Sequence, residues 1–213
     1  FCPHCSSKNV VTAAHKHTFI KIKKCNDCTL YFTDPIYQPL FVSNLYEQFY
    51  NAEGSTTLTP SFEQLKELLD RNFASSDKFF GERLQSIKSI CSGTKILEVG
   101  SSWGYFLYQA KQQGFDPVGI EVSQKRSQFG IKNLQVEIVN SFKEIADKKF
   151  DFVYTAHTLE HFTDLSTIFK EIYQVLDRHG KLIIEVPNFD YEEFGKSSLS
   201  FVGAVHPLGF CSK

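Results

Sequence analysis

Apolar positions change their periodicity twice along this chain. In the first 34 residues short apolar runs alternate with polar ones, and FIKIKKC and TLYFTD read as strands. From Ser61 the spacing turns helical. Ser61 and Gln64 form a capping box, and Phe62, Leu65, Leu68, Leu69 and Phe73 recur on one face. A second amphipathic helix is predicted from Asp77 to Ile90. From Lys95 onward strands and helices alternate. KILEVG is a strand, followed by GYFLYQAKQQG as a helix ended by Gly114. PVGIEV is the second strand, and SQKRSQFG a helix ended by Gly130. NLQVEIVN and FDFVYTAH follow as strands three and four. DLSTIFKEIYQVLDRHG is a helix closed by Gly180, and KLIIEVPN is the fifth strand. Nearly continuous apolar strands between helices imply an α/β fold with a parallel sheet. Three regions result: 1–34, a linker and helical segment over 35–92, and an α/β domain over 93–213.

Composition narrows the function classes. Apolar residues make up 42% and charged ones 22% of 213 residues, with a net charge of −1, which gives no basic field to attract nucleic acid. No apolar run reaches the ~20 residues of a membrane span and no signal-peptide core opens the chain, so the expectation is a cytoplasmic protein. The chain contains 21 Phe and no Met, not even an initiator, so residues missing from the sequence are expected.

Four of the six cysteines fall in two C-x-x-C pairs, Cys2/Cys5 and Cys25/Cys28, with 19 residues between them. Two such turns supply four thiolates to one tetrahedral ion and leave no open position, so a structural zinc site is expected. The metal would hold together a segment with little core of its own. His4, His15 and His17 are alternative ligands that the complete pairs make unnecessary. Cys91 and Cys211 read as ordinary thiols. Tyr46 and Tyr50, in the aromatic stretch after Asp34, are candidates for a lid.

The turn after the first parallel strand reads Glu98-Val99-Gly100-Ser101-Ser102-Trp103-Gly104. Small residues there let backbone approach a ligand, and the following helix offers N–H donors. Glu121 ends the second strand, where a carboxylate can accept hydrogen bonds from ribose hydroxyls. The loop is not G-x-G-x-x-G, so it is not a dinucleotide fingerprint.

With these residues the chain resembles class I S-adenosylmethionine-dependent methyltransferases. ILEVGSSWGYF stands for the first motif, GIEVS for the ribose acid, FDFVYTAHTLEHFTD for the fourth strand and VLDRHGKLIIEVPN for the run into the fifth. The resemblance spans roughly residues 95–190 and implies a Rossmann-like sheet. The N-terminal cysteine pairs with TLYFTDP are similar to a subgroup that carries a zinc ribbon and modifies sugars or natural products. The implied cofactor contacts are Glu98, Gly100, Ser101, Ser102, Trp103, Gly104, Glu121, Val122, Ser141, Phe142 and Ala156. Ser102 stands where the family pattern E/D-x-G-x-G-x-G has a glycine. Ser141 and Phe142 occupy the adenine region in place of the family's acid. The family sheet ends in two further strands, so a native chain extending beyond Lys213 is expected.

His157-Thr-Leu-Glu160-His161 has the H-x-x-E-H spacing of one zinc peptidase class. On a helical turn the three side chains would share a face. A strand running directly into the motif is the wrong context for a peptidase. Within a methyltransferase two roles stay open. His161 or His157 acts as a general base, or His157, Glu160, His161 and a distant His206 surround a second divalent metal. Three imidazoles and one carboxylate suit Zn, Fe or Mn better than Mg. A purely structural role, with Glu160 and His161 capping a turn, is the third alternative. The expected reaction is methyl transfer to a small-molecule acceptor, a sugar or sugar nucleotide, at O, C or N. The alternatives are an RNA methyltransferase or a nucleic-acid-binding zinc module with a degenerate α/β domain.

Overall fold

Two knuckles and three short strands build the N-terminal sheet. Its strands are β1 (Val10–Lys16), β2 (Ile20–Cys25) and β3 (Tyr31–Asp34), paired antiparallel in that order. The protein is described by a computed structural model over residues 1–16, 20–36, 58–90, 92–189, 202–203 and 205–211. His17, Tyr46, Tyr50 and Cys91 lie outside the described residues. β1 escaped sequence reading because VVTAAHK is an edge strand with no buried residue, so no apolar alternation marks it. The fourth strand of this sheet comes from the far end of the chain. β9 (Leu208–Gly209) pairs with β3 through Tyr31↔Gly209 and Phe32↔Leu208. Ile22, Tyr31, Phe189 and Val202 form its core.

The chain divides into two compact units. One contains Phe1–Ala52, Ala156–Lys170 and Glu185–Lys213, and the other Glu53–Thr155 and Glu171–Ile184. The second unit opens with helices α1 (Phe62–Asp70) and α2 (Gly81–Ile90). Ser61 and Gln64 make the expected reciprocal cap on α1. Leu65 is buried on α1, whereas Phe62 points to solvent.

The second sheet holds β4 (Lys95–Val99), β5 (Asp116–Ile120), β6 (Glu137–Val139), β7 (Phe150–Ala156) and β8 (Leu176–Glu185) in the order β6-β5-β4-β7-β8. β5 and β7 flank β4 in parallel, with Val99 opposite Ile120 on one side and Thr155 on the other. The order reverses at β4, which is the Rossmann-like arrangement expected. Ligands in such sheets bind beyond the carboxyl ends of the strands at the reversal. α3 (Tyr105–Gln112), α4 (Gln124–Leu134) and α5 (Leu165–Val175) alternate with the strands. On α5, Leu165, Ile168, Ile172 and Val175 are all buried, the apolar stripe of an amphipathic helix.

Among the boundaries that differ from expectation are the ends of α4 and α5. α4 runs through Gly130 to Leu134, because Gly130 is there for space: a Cβ would lie 2.6 Å from the Trp103 carbonyl oxygen. α5 ends at Val175 rather than at Gly180, and Leu176 already belongs to β8.

Candidate functional site

The loop between β4 and α3 is shaped by three left-handed residues in five positions: Gly100 (φ 83°), Ser102 (φ 50°) and Gly104 (φ 79°). Glycine adopts this conformation freely, whereas a residue with a Cβ is strained by about 1–2 kcal/mol. Ser102 therefore holds a conformation that glycine adopts more readily. Gly100 and Ser101 both donate to the Ile120 carbonyl, and Gly104 donates to that of Ser101. Glu121, at the exit of β5, accepts from the Ser102 N–H at 2.9 Å and from the Ser123 N–H at 2.8 Å. One carboxylate thus ties together the loops after β4 and β5.

Several buried polar atoms here have no hydrogen-bond partner among the described residues: Glu98 Oε2, the Ser101 and Ser102 hydroxyls, Trp103 Nε1 and Thr155 Oγ1. Native proteins rarely leave such groups unmatched, and four of these five residues lie at the end of β4 and in the loop after it, which makes this loop the candidate ligand site. Burial, reinforced by the neighbouring Glu121, raises the Glu98 carboxyl well above the usual range. Burial also raises Glu121, against the opposing Ser123 N–H, Arg126 charge and Ser102 N–H. Trp103 is fully buried and packs against Tyr105, Phe129 and Phe73 at centroid distances of 4.9, 5.8 and 6.2 Å. This aromatic layer supports the loop from behind.

The other expected contacts are more peripheral. Val122 is exposed, Ser141 donates to Glu144, and Phe142 opens a buried 3₁₀ turn. Ala156 is the last residue of β7. Sequence reading missed two residues. Asn140 donates to the Glu121 carbonyl at 2.7 Å, and the buried Arg126 acts electrostatically on Glu121. An amide at the end of β6 and an arginine one turn into α4 were their only signals.

In the first unit the four cysteines come together. Cys2 and Cys28 Sγ are 3.5 Å apart, Cys5 and Cys25 Sγ 3.6 Å, and all four sulfurs lie within 4.8 Å of one another. Thiolates at about 2.3 Å from a tetrahedral ion stand about 3.8 Å apart, so the set fits zinc, while a disulfide would need about 2.05 Å. The two knuckles repeat one geometry. Ser6 N donates to the Cys2 carbonyl and Thr29 N to that of Cys25, while Cys2 N donates to Ser7 and Cys25 N to Leu30. Ser6 and Thr29 are both left-handed. Burial opposes ionisation of Cys25, but the Cys28 and Asp27 N–H groups outweigh it and bring its thiol down to about 7. Asp27 clamps the knuckles by accepting from Ser7 at 2.5 Å and Asn9 at 2.9 Å.

Residues 157–161 do not form the helical face that the H-x-x-E-H spacing suggested. His157 has a left-handed backbone (φ 49°) and donates its N–H to the Glu185 carbonyl, and a 3₁₀ turn follows over Leu159–His161. The His157 side chain is 66% exposed, with Nδ1 3.9 Å from Glu160 Oε1. It stands apart from a tighter cluster of Glu160, His161 and His206, whose ligand-type atoms lie within 4.8 Å. A peptidase helix carrying both histidines inward is therefore absent at this motif. Glu160 is 1% exposed, burial raises its carboxyl to about 7, and its Oε2 has no partner among the described residues. The His161 ring is 4.6 Å from that of His206, and His161 Nδ1 is 2.8 Å from the Val205 carbonyl oxygen. A carbonyl only accepts, so Nδ1 donates this hydrogen bond.

Residues 97–184 match the family model described as a methyltransferase domain. The maize phosphoethanolamine N-methyltransferase 1 is 28% identical over 147 residues, covering 64% of this chain and 28% of that protein. An uncharacterized methyltransferase of Alkaliphilus oremlandii is 26% identical, covering 66% of this chain and 72% of its own length. Among solved structures, a protein of Pyrococcus horikoshii OT3 aligns at 22% identity with a TM-score of 0.48, covering 64% of each chain. The glycopeptide N-methyltransferase MtfA complexed with S-adenosylmethionine aligns at 16% identity and a TM-score of 0.44, covering 53% of this chain and 55% of that one.

Proposed function

We propose that residues 97–184, which match a methyltransferase domain model, bind S-adenosylmethionine as class I methyltransferases do, and that the protein methylates a small polar acceptor at nitrogen or oxygen. The observation that carries this reading is the set of unmatched buried groups around the Gly100–Gly104 loop, together with Glu121. When bound, the cofactor supplies an electrophilic sulfonium methyl. Glu121 would accept from ribose hydroxyls, as an ionised carboxylate held by two N–H donors can. The Glu98 carboxyl, strained toward its neutral form by burial, would regain charge beside a cationic ammonium. Loop N–H groups and the Ser101 and Ser102 hydroxyls fit the cofactor's polar remainder, and Ser141 and Phe142 the adenine. Most of the rate would come from holding donor and acceptor in line.

On the acceptor, His161 is the residue we assign as general base, with its Nδ1 oriented by the Val205 carbonyl. Glu160 and His206 adjoin it, and His157 is available at the surface. A second reading is favoured by the unmatched Glu160 Oε2: the Glu160, His161 and His206 cluster would hold a divalent cation. Metal analysis separates the two, one equivalent per chain for the ribbon alone and two with the cluster filled. The four thiolates would hold structural zinc, and unoxidised thiol pairs fit a reducing, cytoplasmic setting. The subgroup likeness supports a sugar or sugar nucleotide, whereas the maize relative's name concerns phosphoethanolamine.

The deciding experiment is calorimetry with S-adenosylhomocysteine. Binding by the wild type and a 10- to 100-fold weaker affinity for Glu121→Ala are expected, about 1.5–3 kcal/mol for hydrogen bonds to a charged group. Unchanged affinity in the variant would remove Glu121 from the site.

A further inference from the structure

The connection between α1 and α2 is wound more tightly than a surface link requires. Asn72, Phe73 and Ser75 are all left-handed, with φ of 49°, 61° and 60°. A bulky side chain is strained in that conformation, and such strain persists only where the surroundings fix it. Here the fixing group is the Phe73 ring, which is fully buried and lies 6.2 Å from Trp103 and 5.9 Å from Tyr108. Trp103 belongs to the Gly100–Gly104 loop, so the strained turn is braced against the candidate ligand site.

The same connection is pinned again at its far end. Gln109, 3% exposed on α3, accepts from the Phe80 N–H at 2.9 Å. Its amide nitrogen donates to the Lys78 carbonyl at 2.8 Å and to the Tyr105 carbonyl at 2.9 Å. A buried amide is costly unless it is matched, and this one is matched only with Lys78 and Phe80 laid along the first turn of α3. The Phe80 ring then stands 5.8 Å from that of Tyr105. Lys78 Nζ, paired with Asp77 at 2.9 Å, lies 5.9 Å from the centre of the same ring, and Trp103 packs on it at 4.9 Å.

The Tyr105 ring is thus held by three neighbours, whereas its hydroxyl makes no hydrogen bond among the described residues. Burial raises this hydroxyl, with Glu98, Asp77 and Glu121 adding to the effect and Arg126 opposing it, so it keeps its proton and is a ready donor. Glu98 weighs on it more heavily than Glu121, which puts the hydroxyl on the Glu98 side of the site. An anionic ligand group seated among these carboxyls needs a donor beside it.

We infer that Tyr105 is a ligand-contacting residue of the cofactor site, its hydroxyl donating to the carboxylate at the cofactor's amino-acid end, and that Gln109 is its positioning residue. This rests on the reading of the Gly100–Gly104 loop as an S-adenosylmethionine site, and it makes the α1–α2 connection part of that site.

The test is calorimetry on the full chain with two ligands, S-adenosylhomocysteine and 5′-methylthioadenosine, which lacks the amino-acid end. Tyr105→Phe removes the hydroxyl and keeps the ring. It should bind S-adenosylhomocysteine about 10-fold more weakly, as for a lost hydrogen bond to a charged group, and 5′-methylthioadenosine within about twofold of wild type. Gln109→Met and Gln109→Leu remove all three amide hydrogen bonds at similar volume and should show the same split. Combined with Tyr105→Phe, either should add less than about twofold to the loss, because Gln109 acts through Tyr105. Unchanged S-adenosylhomocysteine affinity in Tyr105→Phe, or an equal loss for both ligands, overturns the contact. Additive losses in the double variant overturn the positioning role. A wild-type protein that binds neither ligand removes the cofactor reading itself, and this inference with it.

Discussion

Glu160→Gln turns the buried carboxyl into a measurable pH dependence. Glu160 is 1% exposed, and burial raises its carboxyl from 4.5 to about 7. A folded-state value above the unfolded one means that the native protein holds the proton more tightly. Its contribution is therefore full below pH 4.5 and is lost as pH rises through 7. The whole displacement corresponds to about 3 kcal/mol, an upper figure because a charged carboxylate recruits water and neighbouring dipoles. Glutamine is neutral and nearly isosteric with the protonated acid. The variant should match wild-type stability near pH 5 and exceed it by about 1–3 kcal/mol near pH 8. Urea unfolding at several pH values, with one equivalent of zinc and no other metal, measures the difference. A difference that does not change with pH refutes the burial argument. A variant less stable than wild type at pH 8 would mean that the ionised carboxylate is wanted, as in the cation reading.

Three further substitutions probe the frame. Gly130→Ala should destabilise by about 1–3 kcal/mol although alanine favours helix, because its Cβ meets the Trp103 carbonyl oxygen at 2.6 Å. Thermal unfolding reads the sign, and a gain in stability would show that the loop yields easily. Ser102→Gly should raise stability by about 0.5–1 kcal/mol by relieving the left-handed strain, partly offset by glycine's greater unfolded-state freedom. An unaltered or lower melting temperature would count against strain at this position. Stripping metal with a chelator should release one zinc and abolish the N-terminal sheet's amide protection while β4, β5 and β7 stay protected. Uniform loss of protection would contradict separate stabilisation of the two units.

Local pattern determined much of this protein. The strand and helix alternation after Lys95 carried the parallel sheet, because buried parallel strands must be apolar and their connections must be amphipathic. The paired cysteine spacing carried the metal-compatible cluster, because a C-x-x-C turn brings two sulfurs together whatever surrounds it. The loop from Glu98 to Gly104 and the acid Glu121 could be singled out as candidates for the same reason: they sit on consecutive residues at strand ends. The strand β1 was not, since none of its side chains is fully buried. The limits of α4 at Gly130 were also hidden, because helix-ending and space-making glycines look alike in sequence. H-x-x-E-H was legible as a spacing but not as a shape. Spacing alone put His157, Glu160 and His161 on one helical face. The strand exit and 3₁₀ turn instead send His157 to solvent and leave Glu160 and His161 beside His206. The two histidines stand 45 positions apart in sequence, and their partnership depends on β9 crossing to β3. A hydrogen-bonded ladder between chain ends has no local signature, so only the tertiary structure could join the ribbon to the histidine pair.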